Sequence, residues 1–561
     1  MLWGPAAGLP QSLLEVAMTQ LAPPPPGRPS TYFAEPFTAH ERAVLSRHVT
    51  NIDGPVFALV GLPQVTAAAL FARYSRSAKS LRRLLLDEFL GDAVEPLPAE
   101  ASDAGRARAG DLFGRVLAEY GDDSVAQLAG VHIACEQVSQ PLAKAIEWGR
   151  LAGYLEQSTR YIPYTDRRDG RYRYHLDPNL MASPSAAVYV EAMDGLFDTY
   201  CALLDLLREH LDSTIGREED ERARRRAIRA LALDLLRGLL PAGTVSNVGV
   251  FASPQAYEQM VLRLRAHRLP EARTYAELIA AELQKVVPEF LTRLERPDRG
   301  GVWVDYLADT AAALEASATV AAPSFEQSEE GVRLVDWTRD GEDRILAASL
   351  LPHSRVTLQS LLETVHGLAE PRRDELFAAA VGERGNRRHR PGRGFEHCEY
   401  TFEVVSDYGA FRDLQRHRML TIQWQPLTPS LGYVVPATVE EAGLGPRWRG
   451  AVERAEAAYE GVAGAFPEQA QYLVTLGHRL RYVIRMNARE AMHLIELRTS
   501  PQGHPHYRRV GQEMHRLIDQ VAGHHRVAAA MRFVGADDVH LPRYAAERGR
   551  VGEDGDSEAG D

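Results

Sequence analysis

The feature that most constrains how this chain can fold is that its landmarks come in the same order twice. ALFARYSRSAKSLRRLLLDEF, Ala69 to Phe89, matches LAASLLPHSRVTLQSLLETVH, Leu346 to His366, in apolar spacing and in the Ser/Thr-Leu pair that opens the second helix of each. SVAQ, Ser124 to Gln127, stands where GFEH, Gly394 to His397, stands in the second half, and each leads on to an arginine, Arg150 or Arg418. LLRGLLP, Leu235 to Pro241, precedes a run ending at Arg265, just as AQYLVT, Ala470 to Thr475, precedes HLIELR ending at Arg498. Helical periodicity produces one such match by chance, but a series in register describes a duplicated unit. The boundary falls near residues 320 to 335, giving a first unit over 31–325 and a second over 326–546. Helix-like windows such as Ala227 to Leu240 and Arg479 to Leu497 alternate with β-like runs, Tyr400 to Val405 and Leu420 to Trp424, which predicts an α+β fold.

With 561 residues, 45% of them hydrophobic, the chain is long enough for at least two domains with sizeable cores. Its three cysteines, Cys135, Cys201 and Cys398, are too few and too scattered for a disulfide framework or a four-thiolate metal site, so no metal set and a reducing, cytoplasmic setting are expected. No apolar run approaches bilayer length, so no membrane partner is expected. The net charge of −12 argues against a nucleic-acid polymer as partner and leaves room for a local basic pocket around one small anion. Residues 1–30, with the run Pro23 to Pro26, read as a disordered lead-in, and 547–561 as a disordered acidic tail.

Several short motifs carry chemistry. Arg416, His417 and Arg418 follow a β-to-helix segment, EHCEYTFEVVSDYGAFRDLQ, and guanidinium forks at such a place bind phosphate or an electron-rich ring edge. The same tripeptide also fits a solvated basic helix end. In EQSTR, Glu156 to Arg160, an extended backbone puts Ser158 and Arg160 on one side, where a hydroxyl and a guanidinium can grip a phosphate; a turn with a surface arginine is the plainer alternative. Along NAREAMHLIELR, a helix places Asn487, Leu494 and Arg498 on one stripe and stacks Arg489 on His493. An amide that donates and accepts, beside arginines, suits a heteroaromatic ligand. RGNRRHRPGR, Arg384 to Arg393, concentrates positive charge just before the EH pair and fits either a phosphate cradle or a flexible basic loop.

Taken together, EHCEYTF, RHR, NAR and LR in the second copy, and EQSTR with LLRGLLP in the first, resemble the flavin-dependent thymidylate synthases. The resemblance covers roughly residues 120–270 and 390–520. It implies two fused units of that family, each an antiparallel sheet with surrounding helices. The second copy keeps RHR but loses the later Ser and Arg of the signature; the first keeps Ser158 and Arg160 but has Trp148 and Gly149 in place of the leading Arg-His. Because the family builds its site between protomers, the two half-motifs are expected to complete one composite site. The resemblance assigns FAD to Arg416, His417 and Arg418 with His397, Asn487, Arg489 and His493. It assigns the substrate, dUMP, to Glu156, Gln157, Ser158 and Arg160, and gives Arg498 the role of polarising the uracil ring. The implied reaction is reductive methylation of dUMP with methylenetetrahydrofolate and NADPH, in a homodimer that makes a pseudo-tetramer; the alternatives are a related flavoenzyme modifying C5 of another uracil nucleotide and a non-catalytic flavin- or nucleotide-binding homologue. The sequence departs from the family pattern at Gln471 and Thr475, where the first copy keeps Arg237 and Pro241, and at Asp413, where a substrate-contacting Gln is expected. Pro254 and Ala256 are read as the first copy's counterparts of Asn487 and Arg489.

Overall fold

The computed structural model describes residues 35–535, apart from 50–51, 54–58, 65, 68, 71–79, 91–126, 128, 161, 168, 217–219 and 323–325. The lead-in, the acidic tail, nearly all of SVAQ and the middle of the Ala69 to Phe89 match lie outside these residues. The chain divides into two compact units. One comprises Met1–Val131, Ala252–Gln259 and Ala280–Gly300, the other His132–Phe251, Met260–Ile279 and Gly301–Asp561.

In the first of these, helix α1 (Ala39–Leu45) starts with reciprocal capping: Glu41 N donates to Thr38 Oγ1 at 3.2 Å and Thr38 N to Glu41 Oε2 at 2.7 Å. Arg83 pairs with Glu35 at 2.9 Å beside it.

The second compact unit carries the duplication. Strand β1 (Val131–Val138), helix α2 (Gln140–Ile146), β2 (Ala152–Glu156), helices α3 (Ala186–Thr214) and α4 (Glu221–Leu236), and β3 (Ser246–Ala252) form one series. The other runs β4 (Gly331–Trp337), β5 (Glu399–Asp407), α5 (Tyr408–Leu414), β6 (Thr421–Trp424), α6 (Gly445–Ala463), β7 (Arg479–Asn487), α7 (Ala488–Arg498) and α8 (Pro505–Gln520). The first sheet has the order β1-β3-β2 and the second β4-β5-β7-β6, the same order with one strand added at the edge. The fold is therefore α+β with two separate antiparallel sheets, as two units of the expected kind require.

Equivalent backbone bonds give the register of the repeat. Gln157 N donates to Asn247 O at 2.9 Å and Gln425 N to Arg481 O at 3.0 Å; His175 N donates to Gly243 O at 2.8 Å and Val434 N to Gly477 O at 2.9 Å. At the junction the copies meet as mates. Pro241 bridges Thr475, its own counterpart. Around that bridge Ala242 N donates to Val474 O at 2.7 Å, and Leu476 N to Leu240 O at 2.9 Å. Such an exchange between equivalent residues is the mark of a local two-fold axis. Helices α3 and α6 pack on each other beside it, with Tyr189, Met193, Phe197 and Tyr200 of α3 and Trp448, Val452 and Val462 of α6 buried. Each such side chain contributes about 1.5–3 kcal/mol of burial free energy.

Three local readings need correction. Arg479 to Leu497 is not one helix: Arg479–Asn487 is strand β7, and α7 begins at Ala488. Leu480, Tyr482, Ile484 and Met486 are buried while the residues between them are not, the period of two that a half-buried strand requires. Asn487 ends the strand and caps the helix, its Oδ1 accepting from Glu490 N at 2.9 Å. Ser253 caps helix Pro254–Arg265 in the same way, accepting from Ala256 N at 3.3 Å, so the counterparts of Asn487 and Arg489 are Ser253 and Gln255. In Ala227 to Leu240 the α-helix stops at Leu236, a 3-10 turn spans Arg237–Leu239, and Leu240 is extended, as a residue before proline prefers.

Candidate functional site

β5 leads directly into α5 through Asp407, whose Oδ1 caps the helix by accepting from Ala410 N at 2.9 Å. A short helix on a strand end places Arg412 and Asp413 in the core and Arg416-His417-Arg418 just past its last turn. Opposite them stands the end of β2. Glu156 is buried there, with Oε1 accepting from Arg412 Nη2 at 2.5 Å and Oε2 from Lys144 Nζ at 2.9 Å and Arg416 Nη2 at 3.0 Å. Burial alone raises its pKa, but the Arg412, Lys144 and Arg416 cations outweigh that and hold the carboxyl well below its ordinary value. Glu156 of the first copy thus anchors Arg416 of the second.

Arg160 lies in a turn rather than an extended segment, its N–H donating to Ser158 Oγ at 3.2 Å. Its guanidinium grips Asp234 with Nε and Nη2 at 2.8 and 2.7 Å and donates from Nη1 to Tyr507 Oη at 2.9 Å. Arg498 faces the same ring, 5.5 Å from its centroid against 5.8 Å for Arg160. Arg498 Nε donates to His417 Nε2 at 3.0 Å. That nitrogen is therefore the acceptor, which puts the imidazole proton on Nδ1, 2.8 Å from Glu490 Oε1. Burial, with Arg498 and Arg390 nearby, drives the His417 pKa well below its ordinary value, so this ring is neutral at pH 7.

Asp413 lies at the centre of the arginines. Arg237 Nη1 donates to it at 3.2 Å and Arg498 Nη1 stands 4.0 Å away. Burial raises its pKa, but Arg237, Arg416, Arg498 and Arg160 outweigh burial and keep it ionised. Arg237 Nη2 is buried with no hydrogen-bond partner. A cationic N–H left bare in a protein interior is a costly arrangement that an anionic or carbonyl ligand relieves.

The remaining expected flavin residues lie on a path leading away from His417. His493 packs 5.2 Å from the His417 ring and receives Arg390 Nη2 at 3.1 Å; burial pushes its pKa down to about 4, against the opposing pull of Glu490. Arg489 Nε donates to Pro391 O at 2.9 Å. Beyond Pro391, His397 lines a cavity of about 470 Å³ walled by Leu346, Leu350 and Leu376, with His353 and Arg393. Arg418 is exposed. His417, Glu490 and His493 also bring their ligating atoms within 4.8 Å of one another, but Arg498 and Arg390 sit on the two imidazoles, an environment suited to anions rather than cations.

Of the expected substrate residues, the structure brings Glu156 and Arg160 to the RHR segment and Arg498, with Ser158 beside Arg160. It does not bring Gln157. That residue continues the ladder of β2, so its side chain takes the opposite face from Glu156 and lines a different cavity. Sequence reasoning missed Asp234, Tyr507, Glu490 and Arg412, while Arg390 belongs to the basic segment Arg384 to Arg393 that it had singled out. Of these, Arg412 had a readable signal, a cation in the same short segment as the RHR run.

The profile of a family described as thymidylate synthase complementing protein matches residues 65–289 and 333–523 of this chain. A UPF0159 protein of Chlamydia muridarum is 37% identical over 522 residues, covering 92% of this chain and 98% of its own length. A UPF0159 protein of Chlamydia pneumoniae is 36% identical over 523 residues, with 91% and 98% covered, and one of Thermoplasma acidophilum is 29% identical over 513 residues, with 86% and 98% covered. Among solved structures, a UMP/dUMP methylase from Streptomyces cacaoi bound with 5-Br dUMP is 20% identical, covering 36% of this chain and 96% of its own, with a TM-score of 0.30. Among the described residues, no helix is long and apolar enough to cross a membrane.

Proposed function

Because the chain belongs to the thymidylate synthase complementing protein family, in two diverged copies, we propose that it is an FAD-dependent enzyme that reductively methylates dUMP to dTMP with methylenetetrahydrofolate and NADPH. The reaction takes place at one composite site shared by the copies. The observation that carries this reading is the arginine cluster itself. Arg160 and Arg237 from the first copy converge with Asp413, Arg416, His417 and Arg498 from the second.

The residues present fit a flavin. The apolar cavity beside His397 would suit the adenine of the cofactor, and Arg489 and Arg390 would supply guanidiniums for its pyrophosphate. When bound, FAD supplies the hydride that completes the transferred one-carbon unit. The chain's own residues orient and tune. Ser158 and Arg160, with Arg237, bind the substrate's phosphate and sugar. Arg498, fixed by the acceptor nitrogen of a neutral His417, stabilises negative charge as it builds on the uracil ring. His417 and Glu490 hold that guanidinium in place, so they are positioning residues.

A second reading, a related flavoenzyme modifying C5 of another uracil nucleotide, is favoured by one observation: Asp413 stands where the family pattern has a Gln and already occupies Arg237. The roles divide cleanly under mutation. Arg418→Ala abolishes flavin uptake, whereas Arg160→Ala leaves flavin bound and weakens dUMP binding at least tenfold, by about 1.4 kcal/mol or more. Flavin absorbance and equilibrium dialysis of dUMP measure the two; if both variants keep both ligands, the composite site is wrong.

A further inference from the structure

Gln157 opens onto a second cavity, of about 300 Å³, lined by Gln137, Gln157 and Asn247 from the ends of β1, β2 and β3 and by the loop from Asp169 to Leu176. We propose that this cavity is a separate binding site for a nucleoside monophosphate. The proposal does not depend on the function of the arginine cluster.

The lining is built rather than left over. Gln137 N donates to Asn247 Oδ1 at 3.0 Å, which fixes the orientation of that amide and turns its NH2 group free to donate. Gln137 and Gln157 add two more carboxamides, each able to donate and accept, the chemistry that reads the alternating edge of a nucleobase. The His175 ring also borders the cavity. Arg171 supplies an exposed guanidinium with no ion-pair partner among the described residues, suited to a phosphate.

The backbone adds an independent sign. Among the described residues, Gln137 and Asp169 are the two non-glycine positions with positive φ, 57° and 49°, and both line this cavity. At Asp169 this is the ordinary conformation of an Asp-Gly turn, with Gly170 at φ 79°, whereas at Gln137 it has no such local cause and marks a constrained point of the lining. The duplication supplies a control. At the equivalent place in the second copy Arg481 replaces Asn247, donating to Gln425 Oε1 at 3.4 Å, Ser328 Oγ at 2.5 Å and Glu326 O at 2.7 Å. Gly432 stands there in place of Arg173, as the matching bonds from Val245 N and Arg479 N show. One copy thus holds a paired arginine at this position and the other an amide that borders the cavity.

The test is equilibrium dialysis of the full-length protein against UMP, dTMP and AMP, comparing the unmodified chain with Asn247→Leu, Arg171→Glu and Arg498→Ala. At least one nucleotide is expected to bind a site that weakens tenfold or more in both cavity variants and changes less than twofold in Arg498→Ala. Arg171 is exposed, so its variant keeps the fold and decides the matter if Asn247→Leu does not. The proposal is overturned if none of the three nucleotides responds to Arg171→Glu, or if all binding disappears in Arg498→Ala. Failure of Arg498→Ala to affect dUMP turnover, by contrast, counts against the function proposed for the arginine cluster and leaves this cavity untouched.

Discussion

Glu156→Ala is expected to lower the unfolding free energy of the chain by about 3–5 kcal/mol, the range for removing one partner of a buried ion pair. The reason is the asymmetry of the cluster. Lys144 and Arg412 are buried and Arg416 lies against the same carboxylate, so the deletion leaves cations facing one another without the charge that makes their burial tolerable. Glu156→Gln, which keeps the volume and loses the charge, is expected to come close to Ala. Urea unfolding of the purified variants reads the effect, and a change below about 1 kcal/mol contradicts it. The pH dependence follows with a definite sign. The folded pKa of Glu156 lies below its unfolded value. Its contribution is therefore complete above the unfolded carboxyl range, near pH 4.3, and is lost as pH falls towards the folded pKa. The Ala variant lacks that part of the acid sensitivity.

The second large effect concerns chemistry. Arg498→Ala is expected to reduce the rate of dTMP formation by about 10²–10³, the loss typical of removing one preorganised donor from a developing negative charge, with flavin binding retained. Arg498 is held from three sides, by His417, Asp413 and the Tyr507 ring. Because its position depends on a neutral His417, His417→Ala is expected to lower turnover less than Arg498→Ala does. Steady-state assays of both variants check this; an Arg498→Ala enzyme within threefold of the unmodified chain contradicts the role.

Much of the architecture was legible because duplication writes the same landmarks twice. The order of motifs gave two units of one family, and the matched bonds at Gln157 and Gln425 and the Pro241–Thr475 bridge show those units as mates. The strand at Arg479–Asn487 was misread because its apolar residues, every second position, run straight into a helix whose own apolar residues extend the pattern. The composite arrangement of Glu156, Arg160, Arg416 and Arg498 followed from complementary half-motifs. Tyr507 and Asp234 did not, since each enters through tertiary packing of a segment with no motif of its own, and Glu490, though inside NAREAMHLIELR, shows its role only through its contact with His417. Gln157 was drawn into the arginine cluster by its neighbours in EQSTR, although strand alternation places it on the other face.

The central claim, one working flavin and nucleotide site made from two half-sites, is tested most directly by the visible spectrum of the full chain under anaerobic conditions. The account expects one flavin per chain, and a band that bleaches with NADPH faster when dUMP is present. A protein that takes up no added FAD, or whose flavin responds to NADPH identically with and without dUMP, contradicts it.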